Sequence, residues 1–287
     1  MKIVVVGAGG SIGKRHIKCL SGLVKESEIV LCDVANGYLS VDDVCEEFFD
    51  LAVICTPSST HVELATRFAN CKSFFIEKPL DSDIDIAQKN VGFFKGKKTM
   101  VGCNLLFADK MAEVKEMLPK CSFASVKYHS YLPMWRENHK DLYSSRRSLG
   151  GGVFNDCVHE VHYVYHILGE PKNVVVVERQ LEEHTVDTND YCMLIFDYGD
   201  KVINIELSYL CHDKQRSCDM TFPDGSRTVV DFVPDFDTGN MQTVLDIDET
   251  YIRQWEYFLS TDAPMNSYEE ALKMLDKINK STILGDR

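Results

Sequence analysis

The feature that most constrains the fold is an apolar run that ends in a cluster of glycines. Residues 2–6 read KIVVV, and a helical pattern begins at Ser11 and Ile12. The glycines at this junction are Gly7, Gly9, Gly10 and Gly13. Glycine permits a tight turn and the close approach of a ligand, and a helix N-terminus presents N–H donors at the positive end of its dipole. The segment therefore predicts a strand, a glycine-rich turn and a helix that can hold a pyrophosphate.

An acidic residue follows this turn at the distance that dinucleotide binding requires. The spacing from Gly7 through Gly9 to Gly13 is one residue longer than the usual G-x-G-x-x-G. Asp33 follows the second predicted strand, 28–32, and comes 20 residues after Gly13. A carboxylate there accepts the ribose hydroxyls of adenosine and repels a 2′-phosphate, and no arginine follows to receive one. The sequence therefore favours NAD over NADP.

The rest of the first half alternates strand-like and helix-like segments. Further apolar strands are predicted at 51–55, 73–76 and 99–103, with a helix at 61–69. Strands that are apolar throughout and separated by helices indicate a parallel sheet covered on both faces. We therefore predict an α/β protein whose residues 1–119 form a Rossmann domain with a doubly wound parallel sheet.

The second half has strand-like runs joined by turn residues. These runs lie at 122–131, 173–179, 191–198, 201–209, 218–222 and 227–232. Such hairpins predict a largely antiparallel open sheet. Helices are predicted at 153–168, which ends at Gly169, and at 268–281. We therefore expect residues 120–287 to form a C-terminal α/β domain that binds the substrate.

Composition limits the partners. The formal charge of −13 disfavours nucleic acid, because phosphate binding needs a basic face. No apolar run approaches the about 20 residues that span a bilayer, so no membrane partner is expected. The 11 cysteines are scattered without a C-x-x-C pair, which is typical of a reduced compartment. We expect a cytoplasmic protein.

Several motifs beyond the glycine turn belong to one pattern. They are Thr56-Pro57 with His61, the E-K-P of residues 77–79, the VGCN of residues 101–104 and the LGGGVFNDCVHE of residues 149–160. In this combination the chain resembles the Gfo/Idh/MocA oxidoreductase family, and the likeness extends to Arg216 and to Ala271-Leu272. The segment 131–152 looks most like bacterial members associated with surface-sugar biosynthesis.

The resemblance implies roles for individual residues. Lys78 would contact the reacting oxygen, His159 would transfer its proton, and a nearby acid would orient that histidine. The Lys78-Pro79 bond is often cis in such relatives. The residues implied to bind the cofactor are Gly7, Gly9, Gly10, Ser11, Ile12, Gly13, Asp33, Thr56, Pro57, His61 and Glu77. Those implied to bind substrate are Lys78, Asn104, Trp135, Arg146, Asn155 and His159.

The chain also departs from the family pattern. Leu106 stands where the family frequently has arginine, and the spacing from acid to histidine differs from the inositol-type pattern. On a continuous helix, Asp156 at i−3 and Asn155 at i−4 would both lie on the face of His159. We favour Asp156, because a carboxylate stabilises the imidazolium, although an acid there could instead cap the helix.

The chemistry of hydride transfer agrees with these roles. Transfer to or from a carbinol carbon needs a base for the hydroxyl proton and a positive charge for alkoxide character. Lys78, after a buried strand, can supply the charge, and His159 can exchange a proton near neutral pH. His159, His162 and His166 could also be interpreted as metal ligands, but alternating valines and isoleucine indicate packing, and we expect no metal.

The segment 132–149 has a local excess of basic and aromatic residues. It carries Trp135, Arg136, Lys140, Tyr143, Arg146 and Arg147. This content indicates an anionic or sugar-bearing substrate, and a solvated face with an aromatic anchor is the alternative.

The sequence therefore predicts an NAD(H)-dependent oxidoreductase that acts on a sugar, sugar nucleotide or cyclitol. We expect a homodimer or homotetramer. Two alternatives remain: an NAD-binding regulatory protein on the same fold, and a glycoside hydrolase that recycles NAD.

Overall fold

A computed structural model describes residues 1–24, 29–135, 138–182, 187–232 and 247–284. The elements of the first part are β1 Ile3–Val6, α1 Ser11–Leu23, β2 Ile29–Cys32, α2 Val41–Val44, β3 Leu51–Ile54, α3 His61–Arg67, β4 Ser73–Ile76, α4 Ile84–Phe94 and β5 Lys98–Val101. The remaining elements are α5 Met111–Met117, β6 Phe123–Tyr131, α6 Leu132–Trp135, α7 Val153–Asp156, α8 His159–Leu168, β7 Asn173–Arg179, β8 Tyr191–Asp197, β9 Val202–Ser208, β10 Leu210–Thr221, β11 Arg227–Asp231, α9 Ile247–Ser260, α10 Tyr268–Asn279 and β12 Thr282–Leu284.

The chain divides into two compact units. The first contains residues 1–104 and 247–273, and the second contains the described parts of 105–246 and 274–287. The division expected from the sequence, 1–119 and 120–287, assigns residues 105–119 and 247–273 differently. Residues 247–273 belong to the first unit because they include α9, whose Trp255 and Phe258 pack on Phe75 of β4.

The first unit is built on a five-stranded sheet in the order β2-β1-β3-β4-β5. Every pairing in it is parallel. The central strands β1 and β3 are fully buried because every residue of IVVV and LAVI is apolar, and this burial drives the sheet to take helices on both faces. The predicted parallel Rossmann-type sheet is confirmed, and the carboxyl ends of its strands lie along one edge, where such sheets bind ligands.

The second unit is built on a seven-stranded sheet in the order β11-β10-β6-β9-β8-β7-β12. Four of its pairings are antiparallel, and the pairs β6–β9 and β12–β7 are parallel. Along β6, Ala124, Val126 and Tyr128 are buried on one face, whereas Phe123 on the other face is 55% exposed. The prediction of a mainly antiparallel sheet with one open face is confirmed.

The helix predicted over 153–168 is two helices in the structure. α7 ends at Asp156 and α8 begins at His159, with Cys157 and Val158 between them. The prediction of one continuous helix was wrong. No glycine or proline marks the break; Cys157, which follows α7, has φ −108° and ψ 23°, outside the helical range.

Candidate functional site

The glycine turn between β1 and α1 is packed so closely that side chains would not fit. Gly7 has φ +85°, and a Cβ on it would lie 2.6 Å from the carbonyl oxygen of Cys55 at the end of β3. A Cβ on Gly13 would lie 2.1 Å from the carbonyl oxygen of Gly7. Both glycines are therefore needed for the turn itself, which brings the N-terminus of α1 to the carboxyl edge of the sheet.

Asp33 reaches this turn from the end of β2. Its Oδ2 accepts a hydrogen bond from the backbone N–H of Gly9 at 2.8 Å, and its Oδ1 accepts one from Ala35 at 2.9 Å. The N-cap of α1 is Gly10, which has no side chain to cap the helix, so the first-turn N–H groups of Ser11 and Ile12 can serve a phosphate. The predicted cofactor residues of the turn thus lie together and fit a dinucleotide with unmodified ribose.

The loops after β3 and β4 are joined by one histidine. His61 is 1% exposed, with Nδ1 2.8 Å from the carbonyl oxygen of Pro79 and Nε2 2.8 Å from that of Thr56. Both ring nitrogens thus face backbone carbonyl oxygens, one in the loop after β4 and one in the loop after β3. Pro57 turns the chain between Thr56 and the helical turn Ser58–Thr60. His61 therefore holds together the two loops expected near the nicotinamide.

Glu77 and Lys78 follow β4, and the Lys78-Pro79 bond is cis. Glu77 is buried, and its Oε1 lies 2.8 Å from Nε2 of His16. Burial would raise the pKa of Glu77, but the hydrogen bond from His16 and the charge of Lys78 outweigh it and lower this pKa below its ordinary value. Glu77 is therefore a buried carboxylate immediately before the proposed catalytic lysine.

Asn104, predicted to contact substrate, lies after β5. Its side-chain nitrogen donates to the hydroxyl of Thr250 on α9 at 2.8 Å. The neighbouring Cys103 donates its backbone N–H to Gln254 on the same helix at 2.9 Å. The VGCN segment is thus anchored to α9, a helix that the sequence analysis did not predict.

In the second unit, the glycine turn before α7 packs on the segment before it. A Cβ on Gly151 would lie 2.1 Å from the carbonyl oxygen of Tyr143, and Gly152 donates its N–H to Ser144 at 2.9 Å. Asn155 donates its side-chain amide to the carbonyl oxygen of Gly150 at 3.1 Å. Asn155 therefore fastens the turn to the helix that follows it.

Asp156 binds two tyrosines. Its Oδ1 accepts from the hydroxyl of Tyr143 at 2.6 Å, and its Oδ2 accepts from that of Tyr209 at 2.8 Å. Burial, together with the charge of Asp156, raises the pKa of Tyr209 well above its ordinary value, so this phenol stays protonated and donates. The N-cap residues of α7 and α8 are Gly152 and Val158, and Asp156 is the last residue of α7.

His159 is the first residue of α8, next to a buried ion pair. Glu160, 1% exposed, accepts from Nε of Arg216 at 2.7 Å, and the guanidinium lies 4.9 Å from the ring centroid of Tyr128. Burial would lower the pKa of Arg216, but the Glu160 carboxylate outweighs it and raises this pKa above its usual range. The pair ties the start of α8, and with it the backbone of His159, to β10.

The basic and aromatic segment 132–149 is folded into short helical turns. Trp135 ends α6, and its side chain lies outside the part that the structure describes, as does Arg136. Arg146 lies 3.7 Å from the carboxylate of Asp141, and Arg147 donates its backbone N–H to Asp187 at 2.7 Å. Acidic neighbours thus accompany part of the predicted basic surface.

Among the described residues, no group of three or more His, Cys, Asp or Glu side chains could hold a metal ion. Within those same ranges, no helix is long and apolar enough to cross a membrane. All 11 cysteines are free thiols.

Comparisons with known proteins identify similar sequences and similar folds. Residues 122–228 match the family model of the GFO/IDH/MocA C-terminal domain. The inositol 2-dehydrogenase of Rhizobium meliloti (strain 1021) is 30% identical over an alignment of 207 residues that covers 65% of this chain and 61% of that protein. The match therefore spans less than two thirds of this relative's length.

Solved structures share the fold along almost the whole chain. Myo-inositol 2-dehydrogenase from Lactobacillus plantarum has a TM-score of 0.78 at 15% identity, with 97% of each chain covered. An oxidoreductase from Agrobacterium radiobacter, in complex with NAD+, L-tartaric acid and magnesium, has a TM-score of 0.74 at 16% identity, covering 98% of this chain and 95% of that one. UDP-N-acetylglucosamine 3-dehydrogenase from Acidithiobacillus ferrooxidans has a TM-score of 0.74 at 16% identity, covering 98% and 96%.

Proposed function

We propose that this chain, whose residues 122–228 match the model of the GFO/IDH/MocA C-terminal domain, is an NAD(H)-dependent oxidoreductase of that family. It transfers a hydride between nicotinamide and a CH–OH carbon of a sugar, sugar nucleotide or cyclitol. The observation that carries the proposal is Asp33, whose carboxylate is fixed on the glycine turn at Gly9. The printed activities of the relatives, on inositol and on a sugar nucleotide, support this substrate class.

The residues divide the work of the reaction. The glycine turn and the uncapped start of α1 bind the pyrophosphate, and Asp33 binds the adenosine ribose. NAD(H), when bound, supplies or accepts the hydride. Lys78 stabilises negative charge on the substrate oxygen with its ammonium group, because a fixed positive charge lowers the free energy of an alkoxide-like transition state. His159 takes or returns the hydroxyl proton, and Asn104, Arg146 and Trp135 orient the substrate.

The proposal extends to the organisation of the protein. The first unit, built on the parallel sheet, binds NAD and the second unit binds substrate, in a cytoplasmic homodimer or homotetramer. Association through the open face of the second sheet is supported by its exposed apolar side chains. Phe123, Val202 and Val229 are 55%, 43% and 49% exposed, and the strand register places all three on this face.

A substrate panel tests the proposed function. Inositols, sugars and sugar nucleotides are incubated with NAD+, and NADH absorbance is followed. We expect stoichiometric NADH formation with at least one polyol, which would also exclude the hydrolase that recycles its NAD. Reduction of a substrate by NADH in the reverse assay would also support the proposed activity. NAD binding without turnover of any member of the panel in either direction would contradict it.

A further inference from the structure

Three buried side chains form a hydrogen-bonded network behind Lys78. Trp255 of α9 and His16 of α1 are both 0% exposed, and Glu77 is 5% exposed. Nε1 of Trp255 donates to Nδ1 of His16 at 3.0 Å, and Nε2 of His16 lies 2.8 Å from Oε1 of Glu77. We call these three residues the buried network.

The chemistry of the indole fixes the direction of both hydrogen bonds. An indole N–H only donates, so Nδ1 of His16 must be the acceptor and carries no proton. The imidazole is then the neutral Nε2–H tautomer, and Nε2–H donates to Glu77. Protonation of Nδ1 would place two N–H groups against each other in a site walled by the rings of Phe75 and Tyr251, whose centroids both lie 5.2 Å from that of His16.

The second oxygen of Glu77 connects this network to the proposed catalytic lysine. Oε2 accepts the backbone N–H of Lys78 at 3.2 Å. Gly102 confines the carboxylate from the other side, since a Cβ there would lie 3.0 Å from Oε1. His16 therefore holds one oxygen of the Glu77 carboxylate, and the other oxygen restrains the backbone from which the Lys78 side chain extends.

We propose that Trp255, His16 and Glu77 are positioning residues that act on the reaction through the backbone of Lys78. Glu77, which the family resemblance assigned to cofactor binding, then contacts the lysine rather than the dinucleotide. A lysine side chain has four flexible methylenes, and fixing its backbone reduces the number of positions that the ammonium group explores. The inference rests on the proposed function only in taking Lys78 as the catalytic lysine.

The first test is the tautomer of His16 in the unaltered protein. Long-range proton–nitrogen NMR correlations of histidine-labelled protein distinguish Nε2–H, Nδ1–H and doubly protonated rings. We expect the Nε2–H tautomer at neutral pH. The Nδ1–H tautomer or the cation would overturn the inference, whatever the activity of the protein.

The second test removes single hydrogen bonds. Trp255→Phe deletes the indole N–H and keeps an aromatic ring, and Glu77→Gln keeps the shape of the side chain but replaces one accepting oxygen. Phe258→Leu is the matched control. The ring centroid of Phe258 lies 5.7 Å from that of Trp255 and 5.8 Å from that of Phe75, but Phe258 makes none of the hydrogen bonds of the network. Hydrogen exchange of the Lys78 amide, kcat and the NAD Kd are measured for each variant.

We expect faster exchange of the Lys78 amide in Trp255→Phe and Glu77→Gln. Their kcat should fall about tenfold, the factor for the loss of one hydrogen bond, with the NAD Kd within about twofold. Phe258→Leu should lower the melting temperature and leave both the exchange rate and kcat near the original values. Unchanged Lys78 exchange in both network variants, or the same loss of kcat in the control, would overturn the inference. If the unaltered protein has no dehydrogenase activity, the proposed function fails, while the tautomer and exchange measurements still decide whether the network holds Lys78.

Discussion

The buried ion pair at the start of α8 gives a prediction for Arg216→Met. Arg216 and Glu160 have side chains that are 15% and 1% exposed, and Nε and Oε1 are 2.7 Å apart. Oε2 of Glu160 accepts no hydrogen bond from the described residues. Methionine fills part of the arginine volume over Tyr128 but leaves the carboxylate buried with neither oxygen paired.

The expected loss of unfolding free energy in Arg216→Met follows from the cost of leaving the Glu160 charge buried without a partner. Removal of one member of such a pair costs about 3–5 kcal/mol of unfolding free energy. For a domain of this size, that loss lowers the melting temperature by about 6–20 °C. Because α8 begins with His159, we also expect kcat to fall.

Urea unfolding, monitored by circular dichroism, measures the loss of unfolding free energy. The double variant Glu160→Gln/Arg216→Met removes the charge as well as its partner, and should recover most of the loss. Arg227→Met is the matched control: Arg227 pairs with Asp219 on the same sheet, but its side chain is 64% exposed, so stability should barely change. A loss below about 1 kcal/mol in Arg216→Met, or no recovery in the double variant, would refute the reasoning.

Three further predictions follow from the two units. NAD(H) should bind at least about tenfold more tightly than NADP(H), because Asp33 repels a 2′-phosphate; equal Kd values in a fluorescence titration would contradict this. The folded-state pKa of Glu77 is lowered, so the ionised Glu77 contributes stability above about pH 4.3 and this contribution is lost as the pH falls through the folded pKa. Glu77→Gln should therefore flatten the decline in unfolding free energy over that acid range. An unchanged dependence of unfolding free energy on pH would contradict this prediction. Asp156→Asn replaces one oxygen that accepts a tyrosine hydroxyl, so it should lower the free energy of unfolding by about 1–3 kcal/mol. It should also shift the pH–rate midpoint downward, because a carboxylate stabilises the imidazolium of His159, whereas Asn155→Ala should leave that midpoint in place. The reverse pattern would assign the support of His159 to Asn155.

Local patterns were sufficient for the elements near the cofactor. The KIVVV run and its glycines specify strand, turn and helix within residues 3–23, because each step depends on neighbours in sequence. The position of Asp33 at the end of β2 was also predictable, because its separation from the glycines along the sequence is set by the length of α1 and the connection to β2. The structure places its carboxylate on Gly9, within the same turn.

Contacts between distant residues were not accessible in the same way. α9 was missed, although Tyr251, Trp255 and Phe258 repeat at helical spacing and could have revealed it. His16 gave no sign of its role, because its hydrogen-bonding residues lie 61 and 239 positions away. The bonds that Asp156 accepts from Tyr143 and Tyr209 were equally inaccessible, because these residues lie 13 and 53 positions away.

The proposed function requires this chain to oxidise or reduce a carbinol carbon with NAD(H) while Lys78 acts on the substrate oxygen. The most direct measurement is a comparison of turnover and NAD Kd in Lys78→Met and the unaltered protein, on a substrate identified from the panel. We predict that turnover is abolished while the NAD Kd stays within about threefold, because the ammonium group acts on substrate and not on the dinucleotide. Retention of most of the turnover, or loss of NAD binding, would contradict it.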